Sequence, residues 1–65
     1  MTIEYRNTET WNIECRMNNV SGTRDEGVVI AQKYLRQFPG LTACVLTDNS
    51  ETVVSGATEW QKRNG

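Results

Sequence analysis

One segment limits the folds open to this chain more than any other: Thr23-Arg24-Asp25-Glu26 opens it and Pro39-Gly40 closes it. The Thr23 hydroxyl is placed to accept from the amide three residues on, while the Glu26 carboxylate reaches back to the amide of Thr23, the reciprocal capping box of a helix start. Asp25 and Glu26 also suit the positive end of the helix dipole, so both carboxylates are accounted for without chemistry. Pro39 lacks an amide hydrogen and disfavours helical geometry at Phe38, and Gly40 turns freely. The spacing predicts one helix over about 23–38. At roughly 100° per residue, Ile30, Tyr34, Gly27, Phe38, Ala31, Leu35 and Val28 share an arc of about 160°, and of the apolar residues only Val29 falls outside it.

The segments on either side alternate instead of repeating at the helical period. Residues 41–47, rich in β-branched and apolar side chains, lead into the polar cluster Asp48-Asn49-Ser50-Glu51, and a return strand runs from Thr52 to about Trp60. A turn centred on Asn49-Ser50 pairs Leu46 with Val53, Val45 with Val54, Cys44 with Ser55 and Ala43 with Gly56. Gly56 reads as a bulge or a place of close approach. Upstream, Ile3, Tyr5, Trp11, Ile13, Cys15 and Met17 share one parity, and Glu4, Arg6, Asn12, Glu14 and Arg16 the other. A three-residue loop at Asn7-Thr8-Glu9 sets Tyr5 opposite Trp11 and Ile3 opposite Ile13, with Arg6 and Thr10 outside; the alternative is a loose arm over 2–6. Residues 18–22 read as loop.

The order is therefore β-β-α-β-β, in one small domain over 1–65 whose last residues, 61–65, read as a flexible tail. The simplest architecture is a two-layer α+β fold, an antiparallel sheet of three to four strands with the helix packed on one face. A single helix covers one face of a sheet. In the second hairpin Leu41, Ala43, Val45, Val54 and Trp60 supply that face, yet the opposite parity is also apolar at Cys44, Leu46, Val53 and Ala57. These four residues are the expected interface, met by another protein or by a second copy in a dimer, which would help so short a chain bury surface.

Composition removes whole classes of function. Seven Lys plus Arg against eight Asp plus Glu leave a net charge of −1, too balanced for an electrostatic claim on nucleic acid or anionic membrane. There is no histidine, so His-based acid–base catalysis, His dyads and triads and His-ligated metals are excluded. Glu4 and Glu14, the obvious carboxylate pair, lie on the solvent parity and read as solvated strand charges. Cys15 and Cys44 form no CxxC pair and read as two buried thiols, not as a disulfide or zinc ligands. Asp48-Asn49-Ser50-Glu51 lacks the length and glycine of a calcium loop. No phosphate-binding or dinucleotide-binding motif is present, so no cofactor and no catalytic residue is expected. The opening residues carry no leader pattern and no stretch is long enough to span a bilayer, giving an expected cytoplasmic location and making the Asn19-Val20-Ser21 sequon a chance match.

What remains is a non-enzymatic protein-interaction module that self-associates, of the sort found among phage or mobile-element accessory proteins, inhibitors and small subunits. The alternative is a weak nucleic-acid binder in which Trp60 stacks on a base and Lys62 and Arg63 meet phosphates.

Overall fold

A computed structural model describes residues 1–55, and the expectations for Gly56, Ala57, Trp60, Lys62, Arg63 and the tail over 61–65 lie outside the described residues. The elements are β1 (Thr2–Asn7), β2 (Ile13–Met17), α1 (Arg24–Gln37), β3 (Leu41–Leu46) and β4 (Glu51–Ser55). They form one four-stranded sheet in the order β2-β1-β3-β4, antiparallel at each seam, with α1 as the second layer. This is the α+β architecture and the β-β-α-β-β order read from the sequence.

The helix forms where its caps place it. Thr23 Oγ1 accepts from the Glu26 amide at 3.2 Å and the Thr23 amide donates to Glu26 Oε1 at 2.8 Å, so both halves of the capping box are made. At the other end the Phe38 amide donates to the Leu35 carbonyl before Pro39-Gly40 turns the chain into β3. The layers approach closely at Gly27, where a Cβ would stand 2.6 Å from Met1 Sδ and 3.1 Å from Val45 Cγ1.

Ile3, Tyr5, Val28, Ala31, Leu35, Ala43, Val45 and Val54 make the dry core between helix and sheet. The buried arc of α1 is narrower than its apolar arc. Because α1 lies over β3 and β4, the burial centres on Gly27, Val28, Ala31 and Leu35, while Ile30 and Phe38 fall at the margin and are exposed. Tyr34 bridges that margin, stacked between Tyr5 (ring centroids 4.2 Å apart) and Phe38 (4.8 Å). The Tyr5 hydroxyl is buried with no hydrogen-bond partner among the described residues, and burial pushes its pKa up to about 12.

Both hairpins depart from the expected pairing, each for a local reason. In the second, Thr47 Oγ1 accepts from the amides of Asn49 and Ser50 and the Thr47 amide donates to the Ser50 carbonyl, which centres the turn on Asp48-Asn49. The register becomes Leu46 with Glu51, Cys44 with Val53 and Ala43 with Val54, a slip of two residues that leaves every side chain on its expected face. In the first hairpin, Asn7 Oδ1 accepts from the amides of Glu9 and Thr10, the Asn7 carbonyl from Trp11, and the Asn7 amide donates to the Asn12 carbonyl. Trp11 takes the left-handed conformation in this loop, with φ at 67°. The longer loop sets Tyr5 opposite Cys15 and Ile3 opposite Met17, and residues 2–6 are a full central strand, not an arm.

A bulge then changes the parity. Between Tyr5 and Arg6 the register moves from Cys15 to Ile13, so Ile13 and Glu14 both stand opposite Arg6. Ile13, expected on the helix side with Cys15 and Met17, is instead the partner of Arg6 on the other face, 42% exposed.

Candidate functional site: the open face of the sheet

The sheet face turned away from α1 is the candidate site. Its residues follow from register. One row across the four strands runs Arg16, Glu4, Cys44, Val53; its neighbours run Ile13, Arg6, Thr42, Ser55 on one side and Thr2, Leu46, Glu51 on the other. The face divides into two halves of different chemistry.

The β1–β2 half is charged, with one carboxylate shared by two guanidinium groups. Glu4, on a central strand and only 8% exposed, accepts from Arg16 Nη2 at 2.8 Å on one carboxylate oxygen and from Arg6 Nη2 at 3.1 Å on the other. The hydrogen bond from Arg16 is the main reason its carboxyl sits below the ordinary range; burial pulls the other way, and Arg6 adds to the lowering. Arg6 also donates from Nη1 to the Trp11 carbonyl at 2.8 Å and lies 5.4 Å from the centroid of the Trp11 ring. Glu4 is thus not the solvated strand charge its parity suggested, because two arginine side chains close over it. Its cross-strand partner on β2 is Arg16 and not Glu14.

The β3–β4 half carries the expected interface residues, except Ala57, which lies outside the described residues. Cys44 and Val53 are cross-strand partners and Leu46 is the diagonal neighbour of Val53. Their exposures differ sharply. Cys44 is 2% exposed, Leu46 is half-buried and Val53 is 53% exposed, so Val53 offers most of the apolar contact and Cys44 is floor. Burial is the main cause that pushes the Cys44 thiol up; the charge of Glu51 acts in the same direction. Cys15 is half-buried on the helix side; both cysteines are free.

At one end of this face a polar hollow of about 680 Å³ opens among Thr2, Glu4, Arg16 and Leu46, with Asn19 and Asp48 at its rim. The charges on its floor are already paired with each other. Among the described residues no group of three or more His, Cys, Asp or Glu is placed to hold a metal ion, and no helix is long and apolar enough to cross a membrane.

The charged cluster is the part that sequence reading missed. Its signal was present as alternating opposite charges at Glu4, Arg6 and Arg16, but the partner of Glu4 depended on the loop length. Comparison with protein families, with curated proteins and with solved structures finds no match, so the geometry carries the functional argument alone.

Proposed function

We propose that this chain is a protein-interaction module that acts without catalysis and assembles with copies of itself, with Leu46 and Val53 on the open face as contact residues. The observation that carries this reading is the asymmetry of the sheet. One face is closed by α1, while the other presents Val53, the most exposed of the large apolar side chains among the described residues, beside a half-buried Leu46. The neighbouring Glu4 carboxylate is already paired with Arg6 and Arg16, so a partner covering it would not bury an unpaired carboxylate. A symmetric pair of such faces also raises the buried fraction of a small domain.

The test is solution mass across a concentration series under reducing conditions. Val53→Glu is expected to lower the mass of the assembly while leaving the helical signal unchanged, and Leu46→Glu should do the same. If Val53→Glu leaves the mass as it is in the parent chain, the contact is elsewhere and this reading fails. The alternative is nucleic-acid binding through Trp60, Lys62 and Arg63, which lie outside the described residues.

A further inference from the structure

The outer edge of β2 is a second surface, at right angles to the open face. Among the described residues β2 pairs with β1 on its inner side and has no strand on its outer side. An unpaired edge is a template for another strand unless unmatched charge, proline or a bulge discourages it. The β2 edge begins at the bulge of Ile13-Glu14 and carries Glu14-Cys15-Arg16, one charge of each sign about a central cysteine, so its charges can be matched by a strand of the same sequence.

Laid antiparallel on itself about Cys15, this strand is self-complementary. Glu14 meets the partner's Arg16, Arg16 meets the partner's Glu14, and the two Cys15 residues face each other. Sliding by two residues in either direction, the smallest slip that keeps the faces matched, sets Arg16 on Arg16 or Glu14 on Glu14, so charge selects one register. The groups are free to take part. Glu14 is exposed and in none of the ion pairs of the described residues, while the Arg16 side chain remains 47% exposed with one nitrogen on Glu4. A guanidinium has five donors, enough for a second carboxylate.

We propose that the outer edge of β2 pairs with the same strand of a second copy, antiparallel and in register through Cys15. The two sheets join into one, with both helices on one side and both Leu46–Val53 surfaces on the other. The edge contact does not depend on the open-face contact and is tested with that contact removed.

In the Val53→Glu variant under reducing conditions, sedimentation is expected to give a dimer, twice the 7.4 kDa chain mass. Diamide should then link the two Cys15 residues: their thiols give up two electrons and two protons to the diazene, which becomes the hydrazine. Antiparallel partners lie about 4.5–5.5 Å apart at Cα, within reach of a disulfide. Cys15→Ser should abolish the link and keep the dimer mass, and Cys44→Ser should change neither. Glu14→Lys, which sets lysine against the partner's Arg16, should weaken association about ten-fold or more with the helical signal intact. A Val53→Glu protein that is monomeric at all concentrations overturns the edge pairing and leaves the open-face reading standing. A dimer whose crosslinking ignores Glu14→Lys also overturns it.

Discussion

The two faces of this sheet are built from the same strands and obey different physics. The helix-covered face is dry and apolar, with Ile3, Ala43, Val45 and Val54 pressed against Val28, Ala31 and Leu35. The open face holds its interior together with charge: Glu4 is nearly as buried as core side chains, yet it is enclosed by Arg6 and Arg16 and not by a second layer. A thin domain can therefore bury a central strand on both sides with one helix, provided that long charged side chains fold over the second face.

That contrast breaks first where burial is greatest. Leu35→Ala, on the covered face, is expected to cost about 2–4 kcal/mol in urea unfolding, whereas Val53→Ala on the open face should stay within about 0.5 kcal/mol. Glu4→Gln probes the charged half and should cost about 1–3 kcal/mol, since one arginine then faces an amide NH2 in place of its acceptor oxygen and both lose the negative charge. It also sets a pH dependence. The folded-state carboxyl lies below its unfolded value, so its contribution is present above the ordinary carboxylate range and fades as pH falls through the folded value. Acid titration of stability should show this loss in the parent chain and a smaller one in Glu4→Gln.

Smaller effects sharpen the comparison. Thr23→Ala removes the helix cap and should cost about 1 kcal/mol. Tyr5→Phe deletes a buried hydroxyl with no partner among the described residues and should change stability by less than about 1 kcal/mol near neutral pH. The parent chain, whose folded Tyr5 ionises at about 12, should lose stability as pH rises from the ordinary tyrosine value of 10.0 toward it; Tyr5→Phe should resist that loss. Thiol labelling of the native protein should reach half-buried Cys15 before buried Cys44.

What the sequence disclosed followed from periodicity and caps. The helix ends were legible because Thr23, Glu26 and Pro39 act locally, and the faces of β3 and β4 were legible because a two-residue slip preserves parity. The register itself was not, since it turned on Thr47 Oγ1 capturing two amides. On the first hairpin, Asn7 folding the loop onto its own side chain and the bulge at Ile13-Glu14 moved Ile13 through the sheet. Phe38 and Ile30 belonged to the apolar arc but lie where the helix overhangs, a fact of layer placement that no helical wheel contains. Of the open face, Leu46 and Val53 could be read directly, while the burial of Glu4 required knowing that β1 is central.

The central position of β1 has a kinetic consequence. Each hairpin closes over a short loop, but the β1–β3 seam joins Thr2 to Leu46 and Tyr5 to Ala43 across nearly the whole described chain. That closure carries the largest chain-entropy cost before any reward arrives. The rate-limiting event in folding is then expected to be the docking of two hairpins along this seam, beneath the helix. Substitutions at Ile3 and Val45 should slow folding, and changes at the Asp48-Asn49 turn or in the 8–12 loop should act mainly on unfolding, a division that stopped-flow measurements on such variants would reveal.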